Sequence, residues 1–184
     1  MSIFLAGRWA VVFGLAAFLI VPLAPPSGAR LGCTIEGTSG DDVLVGTPGH
    51  DTICGFGGDD VLKGRGKSDE LRGGPGADTL RGGRGPDGLL GGIGPDRLFG
   101  GVGDDVLDGA EGRDRLYGQR GRDTILAFDG RDLANGGRGD DPCLNAHDGV
   151  GDDTIVGGLG QDTFYADAGD TVLSAEHVAQ CGVE

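Results

Sequence analysis

The chain has few of the residues that build an ordinary globular core. Aromatic residues make up only 5% of its 184 residues, with a single Trp and a single Met. Gly, in contrast, supplies 41 residues. A chain with so much Gly and so few large side chains loses too much backbone entropy to fold around one deep core. A regular, repeating structure is therefore expected to compensate.

Basic residues are also scarce. The chain has 15 Lys and Arg against 29 Asp and Glu, for a formal net charge of −14. Because binding to the phosphates of nucleic acids needs a basic surface, this balance excludes DNA and RNA as expected partners. It points to cations instead.

Apolar runs are absent except near the N-terminus. Within residues 1–29 the only charge is Arg8, and residues 9–21 form an apolar run. This pattern is typical of a signal peptide, and we expect cleavage after Ala29. It predicts a secreted, extracellular protein that uses the general secretory route in a bacterium and keeps no membrane span after cleavage.

Two other interpretations of this segment remain. An N-terminal membrane anchor is disfavoured because the apolar run is well short of the roughly 20 residues that span a bilayer. A lipid anchor on Cys33 is disfavoured by Arg30, which stands where an apolar residue is needed.

The four cysteines are an even number in a chain predicted to leave the reducing cytoplasm, so two disulfides are expected. Three pairings are possible, and closeness in sequence favours Cys33 with Cys54 and Cys143 with Cys181. A metal site is the alternative, but no C-x-x-C is present and the three His residues are scattered.

A nine-residue repeat runs through most of the chain. Twelve consecutive nonads cover residues 37–144, among them GGPGADTLR at 73–81 and GGVGDDVLD at 100–108. The pattern is G-G-x-G-x-D-x-L-x. After a three-residue insertion at 145–147, three more nonads follow up to residue 174.

Three columns of the repeat are nearly invariant along the chain. The fourth position is Gly in every nonad except at Lys67, and the eighth is apolar throughout, with Cys143 and Leu173 included. The sixth position is Asp except at Thr171. The sixth-position residues are Asp42, Asp51, Asp60, Asp69, Asp78, Asp87, Asp96, Asp105, Asp114, Asp123, Asp132, Asp141, Asp153 and Asp162. A disordered Gly/Asp-rich linker would not need apolar residues at a fixed period.

This pattern resembles the RTX family, the hemolysin-type calcium-binding nonapeptide repeats. The resemblance implies an all-β fold, a parallel β-roll or β-helix solenoid of nine-residue repeats. In that family the first six positions form a turn and the last three a short strand, and successive nonads alternate between two facing sheets. The resemblance also implies that these fourteen aspartates, together with backbone carbonyls, bind several calcium ions between neighbouring turns.

Elementary physics agrees with this resemblance. Alternation along a strand turns the eighth-position side chains inward, and Gly lets carbonyl oxygens converge on an ion. Aspartates one full turn apart would repel each other by roughly 1 kcal/mol in water and more where partly buried. We therefore expect the calcium-free chain to be largely unfolded. Hard oxygen ligands in flexible loops favour calcium over zinc and magnesium.

Some repeats depart from the pattern at positions that shape their sites. Lys67 replaces a Gly, residues 127–128 replace the leading Gly pair, and Arg113, Arg122 and Arg131 occupy the fifth position. The departures affect the sites of Asp69, Asp123 and Asp132 most.

The repeat frame predicts a division of the chain. The signal peptide at 1–29 is followed by a main roll at 30–144 and a short second roll at 145–174. Pro142 and the insertion mark the boundary, because proline removes a hydrogen bond of the strand ladder. Residues 175–184 are expected to cap the final edge.

No catalytic constellation is present, so the sequence predicts a secreted, non-enzymatic calcium-ion-binding protein. A secreted hydrolase or toxin is a weaker alternative, because few residues remain outside the signal peptide and the repeats. Another alternative is a calcium-dependent adhesion or matrix module that binds an anionic extracellular polysaccharide or a cell surface. Its binding face would be a basic, aromatic column on one sheet. The simpler interpretation of the same column is a solvated sheet face. The residues of this column and its neighbour are Lys63, Arg81, Phe99, Tyr117, Arg97 and Arg115.

Overall fold

A computed structural model describes residues 32–146 and 152–173. Within these ranges every regular secondary-structure element is a β-strand. They are β1 (Ile35–Glu36), β2 (Val43–Val45), β3 (Thr52–Cys54), β4 (Val61–Gly66), β5 (Glu70–Pro75), β6 (Thr79–Arg84), β7 (Gly88–Ile93), β8 (Arg97–Val102), β9 (Val106–Glu111), β10 (Arg115–Arg120), β11 (Thr124–Leu126), β12 (Leu133–Arg138), β13 (Cys143–Asn145), β14 (Thr154–Leu159), β15 (Phe164–Tyr165) and β16 (Thr171–Leu173).

Consecutive strands alternate between two parallel sheets. The odd-numbered strands form one sheet in the order β1-β3-β5-β7-β9-β11-β13-β15, which we call sheet 1. The even-numbered strands form the other, from β2 to β16, which we call sheet 2. Each strand therefore pairs with the strand two nonads away. This topology confirms the all-β parallel roll of nine-residue repeats.

The eighth-position side chains fill the space between the two sheets. Leu62 pairs in register with Leu80, and Leu80 with Leu98, so identical residues stack along the roll. All three are fully buried. The core is thus a narrow row of single apolar side chains from each nonad, which leaves much of the stability to the turns.

The central strands are longer than the three residues expected. Strand β6, for example, covers positions seven to nine of one nonad and positions one to three of the next. The ladder continues into the turn, where the Gly76 N–H donates to the Ile93 carbonyl at 2.9 Å. A positive φ at Gly83 accommodates the bend within this longer strand.

The repeat frame slips by one residue at Pro142. Ile125 pairs with Leu144, and Leu144, not Cys143, is the buried inward residue. The expected eighth-position role of Cys143 is therefore wrong: one extra residue after Asp141 shifts the strand, as in a β-bulge.

Both sheets continue across the insertion. Strand β12 pairs with β14, and β13 pairs with β15. The two nonads before the insertion are thus bonded to the two after it. The division of the chain into a main and a shorter roll at 144–145 stays a prediction.

In the first turn, the disulfide is the one that closeness in sequence favours. Cys33 and Cys54 are bonded, with their Cα atoms 6.1 Å apart. Cys143 is also disulfide-bonded, and its predicted partner Cys181 lies outside the described residues.

Two further predictions, the signal peptide at 1–29 and the cap at 175–184, also lie outside the described residues. No helix in the described part of the chain is long and apolar enough to cross a membrane.

Candidate metal-binding ladders

The sixth-position aspartates form two rows, one at each edge of the roll. We call them the aspartate ladders. Ladder 1 precedes the strands of sheet 1 and contains Asp51, Asp69, Asp87, Asp105, Asp123, Asp141 and Asp162. Ladder 2 precedes the strands of sheet 2 and contains Asp42, Asp60, Asp78, Asp96, Asp114, Asp132 and Asp153. All are buried except the half-buried Asp42.

One carboxylate oxygen of each aspartate after the first in its ladder links it to the preceding turn. The backbone N–H of Asp60 donates to Oδ1 of Asp78 at 2.7 Å, and the N–H of Asp78 donates to Oδ1 of Asp96 at 2.7 Å. Ladder 1 repeats this bond, for instance from the Asp87 N–H to Asp105 Oδ1 at 2.8 Å. Position six therefore has a structural role in stacking the turns as well as a negative charge.

The other carboxylate oxygen has no donor at the interior positions. Oδ2 is buried and accepts no hydrogen bond in Asp60, Asp69, Asp78, Asp87, Asp96, Asp105, Asp114, Asp123 and Asp141. A buried acceptor without a partner is costly unless a cation or a proton compensates it. These oxygens are the part of the molecule that most needs a metal ion.

Backbone carbonyls lie close to the same oxygens. A Cβ built on Gly55 would touch Oδ2 of Asp60 and would lie 2.7 Å from the Gly73 carbonyl oxygen. The same arrangement recurs at Gly91, beside Asp96 and the Gly109 carbonyl. Gly55 and Gly91 are thus favoured because two acceptor oxygens converge where a side chain would begin. Such a concave group of oxygens suits a cation.

Burial dominates the electrostatics of the ladders. Desolvation raises the pKa of Asp96, Asp105, Asp114 and Asp141 to about 7. It raises the pKa of Asp78, Asp87 and Asp123 to about 6. The backbone hydrogen bond to Oδ1 lowers each of these pKa values, but burial exceeds it. The charged ladders are therefore unfavourable without a compensating positive charge.

In the first turn of each ladder, Oδ2 of the aspartate accepts hydrogen bonds from the protein. Oδ2 of Asp42 accepts hydrogen bonds from the Thr38 N–H at 2.6 Å and the Thr38 hydroxyl at 2.9 Å. Oδ2 of Asp51 likewise accepts from the Thr47 N–H at 2.7 Å. Threonine at position two thus supplies protein donors at the N-terminal end of the roll.

At the other end of ladder 2, the sequence frame missed a ladder residue. Asp170, not Thr171, accepts the Asp153 N–H on Oδ1 at 3.1 Å, while its Oδ2 accepts the Asp167 N–H at 2.8 Å. The turn before β16 is one residue shorter, so Val172 takes the register position expected of Leu173. The only available signal was an Asp directly before the expected position.

The turns that depart from the consensus sequence still place their aspartate oxygens as the other turns do. Lys67 adopts φ 73° at the fourth position, and Gln119 adopts φ 81° at the second. Oδ2 of Asp69 and of Asp123 remains buried without a donor, as in the consensus turns. These sequences therefore cost backbone strain but keep the arrangement of oxygens.

The ligand set suits a hard cation. Among the described residues no three acidic, His or Cys side chains converge on one point. A metal ion at a ladder would thus be bound by few carboxylates and completed by carbonyl oxygens. Calcium accepts such flexible oxygen coordination, whereas zinc prefers nitrogen and sulfur.

Comparison with known families identifies the repeat. The model described as RTX calcium-binding nonapeptide repeat (4 copies) matches residues 34–55, 55–89, 90–125, 108–141 and 145–173. The matched segments include the turns of both ladders. A search of curated proteins gives no significant match.

Proposed function

Because this chain belongs to the RTX calcium-binding nonapeptide-repeat family, it is a calcium-binding repeat protein, and we propose that it is secreted, non-enzymatic and folded by several calcium ions. The observation that carries the proposal is the row of buried, unpartnered Oδ2 atoms. In this proposal calcium supplies the positive charge that the ladders lack, so metal binding and folding are one process.

The proposed ligands are the sixth-position aspartates, with interior and terminal positions contributing unequally. The unpartnered Oδ2 atoms support the interior aspartates most strongly. Asp42 and Asp51 have Thr38 and Thr47 as donors, so their turns depend less on the ion. We expect fewer ions than aspartates for this reason.

Two features support secretion. The apolar run at residues 9–21 has the signal-peptide pattern, and Cys33–Cys54 is a disulfide of the kind that persists in oxidising compartments. Extracellular calcium would then fold the chain after export.

The absence of a catalytic role is supported by the use of the acidic residues. The sixth-position carboxylates are buried, and each interior one already accepts a hydrogen bond from the preceding turn through Oδ1. Acid–base catalysis needs a carboxylate within reach of a substrate, which these buried groups do not offer.

The test is a calcium titration of the mature chain by circular dichroism, with magnesium as the control. We expect a cooperative gain of β signal with calcium alone. Calorimetry on the same samples would count the ions bound. A full β signal in chelator, or no response to calcium, would refute calcium-driven folding.

A second candidate function is calcium-dependent adhesion to an anionic extracellular polysaccharide or cell surface. Strand register supports it, because Lys63, Arg81, Phe99 and Tyr117 form one outward column of sheet 2. Retention on an immobilised anionic polysaccharide in calcium, lost in chelator, would support this function. A protein that folds with calcium yet passes straight through the matrix would exclude it.

A further inference from the structure

The charge of sheet 2 is entirely of one sign. Its described strands contain no Asp or Glu, although the protein as a whole is strongly acidic. Their eight basic residues are Lys63, Arg65, Arg81, Arg84, Arg97, Arg115, Arg120 and Arg138. We call these residues the basic strip. The strands of sheet 1 instead carry Glu36, Glu70, Asp108 and Glu111, with Arg72 as their only basic residue.

We propose that the basic strip binds a single chain of an acidic polysaccharide that lies along the axis of the roll. This inference rests on the proposed calcium-folded, secreted roll and assigns its second candidate function to named residues.

The basic strip is available to a ligand. All eight side chains are exposed. None of them makes a salt bridge with another described residue; the two such bridges join Arg72 to Glu70 and Arg131 to Asp152. In a chain with 29 acidic residues, eight unpaired bases on one sheet are an interaction surface rather than an internal charge balance.

Strand register sets the direction of the ligand. Arg97 pairs with Arg115, and Arg120 with Arg138, on neighbouring strands that lie about 4.8 Å apart. Like charges directly opposite each other destabilise a sheet. A polyanion that crosses the strands would compensate every such pair at once, so its chain runs along the roll axis.

The aromatic rings of this face pack against each other and against Arg81. The Phe99 and Tyr117 rings are parallel, with centroids 5.2 Å apart. The Arg81 guanidinium lies over the Phe99 ring at 4.6 Å from its centroid. Both faces of Phe99 are therefore occupied within the protein. Recognition comes from guanidinium groups, which bind carboxylates or sulfates through paired hydrogen bonds.

Acidic residues border the basic strip and limit the width of the ligand. Asp41 and Asp59 are exposed in turns that precede the strands of sheet 2, and Asp104 and Asp140 are exposed in turns that follow them. These charges would repel a wide polyanion such as duplex DNA. Calcium bound at the ladders would neutralise the charge beneath the turns and leave the basic strip as the dominant field.

The test uses the full mature chain in calcium, with polygalacturonate and dextran sulfate as carboxylated and sulfated probes. Arg115→Gln should weaken binding by about 5-fold, which corresponds to one basic residue at an anionic surface. Arg97→Gln with Arg115→Gln should weaken it by about 25-fold if the two contributions add. Arg72→Gln, which removes the same charge from sheet 1, is the matched control and should leave binding unchanged.

Circular dichroism in calcium separates the two levels of the proposal. A chain that gains no β structure with calcium refutes the proposed function itself. If the chain folds but the sheet 2 and sheet 1 variants bind equally, or if nothing binds, only the basic strip is refuted. Equal binding of duplex DNA would also overturn the assignment, because the surface would then accept any polyanion.

Discussion

At the residue scale, the two oxygens of each interior ladder aspartate have different surroundings. Oδ1 of Asp96 accepts the Asp78 N–H at 2.7 Å, whereas its Oδ2 is buried beside Gly91 without a donor. The hydrogen bond to the first oxygen stacks the turns of the folded roll and involves no metal ion. The second favours the fold only when a positive charge or a proton reaches it.

Asp96→Asn should therefore have opposite effects with and without calcium. The amide keeps an acceptor for the Asp78 N–H and can donate to the nearby Gly109 carbonyl. In chelator we expect the variant to retain more β signal than the parent. In calcium it should lose at least one bound ion and roughly 1–3 kcal/mol of unfolding free energy. Circular dichroism and calorimetry measure the two effects.

Asp59→Asn is the matched control for this substitution. Asp59 is exposed at position five and accepts the Ala77 N–H through Oδ1 at 2.8 Å, a bond that the amide preserves. It should change neither the ion count nor the signal in chelator. Equal behaviour of the two variants would contradict the role given to Oδ2.

Acid should partly replace calcium. Burial raises the pKa of Asp96 and Asp114 to about 7 and that of Asp78 to about 6, so the metal-free folded state binds more protons than the unfolded chain. Its stability is therefore greatest below the ordinary Asp pKa of 3.8 and is lost as pH rises through 6 to 7. In chelator, β signal should increase as pH is lowered from 8 to 4.5.

With calcium present the dependence should reverse, because protons compete with the ion for the same carboxylates. A metal-free β signal that stays constant over this pH range would show that ladder repulsion does not keep the calcium-free chain unfolded.

At the element scale, the turns impose stricter limits than the strands. Gly76, at position four, adopts φ 150°, and a Cβ there would collide with the Gly58 carbonyl of the preceding turn. The carbonyls that face the next turn can stack only because this Cβ is missing. Strand position seven, in contrast, accepts residues as different as Thr79 and Arg97.

Gly76→Ala should destabilise the calcium-loaded roll by roughly 3 kcal/mol or more, from backbone strain and steric overlap together. Gly40→Ala is the matched control, since Gly40 holds the same position in the first turn and a Cβ there would meet no atom within 4 Å. That change should stay within about 0.5 kcal/mol. Urea unfolding in calcium measures both, and equal losses would contradict the stacked turn.

At the scale of the whole molecule, stability is distributed along the roll. Each nonad contacts its neighbours within its own sheet and the adjacent nonads of the facing sheet, so the energy is close to a sum over turns and their interfaces. The Cys33–Cys54 disulfide fixes the first turn. The insertion, by contrast, interrupts the regular spacing of 18 residues, and Asp132 to Asp153 spans 21.

The predicted division at 144–145 leads to a proteolysis experiment. Lowering calcium to a level that fills only part of the sites should weaken the turns beside the insertion first, because their spacing is irregular. At that level we expect a protease to cut first between Cys143 and Asp153, and the calcium-loaded chain to resist. Mass spectrometry of the fragments locates the cut. Uniform cleavage along the repeats at the same calcium level would show that the roll unfolds as one unit.

The sequence by itself determined the repeat, the parallel roll, the inward apolar column and the row of sixth-position aspartates. These features have a fixed period, and a periodic chain can satisfy its backbone and bury its apolar residues in few ways. Sequence spacing also pointed to Cys33–Cys54, because the two residues lie about one turn of the roll apart.

Only the tertiary structure decided where the period fails. Leu144 takes the core position that the frame gave to Cys143, and Asp170 takes the ladder position that it gave to Thr171. Hydrogen bonding to the neighbouring turn, rather than counting along the chain, fixes the register. The same long-range pairing showed which oxygen of each aspartate lacks a donor. It also gathered bases from five separate strands onto one sheet, a grouping that exists only when strands 18 residues apart lie side by side.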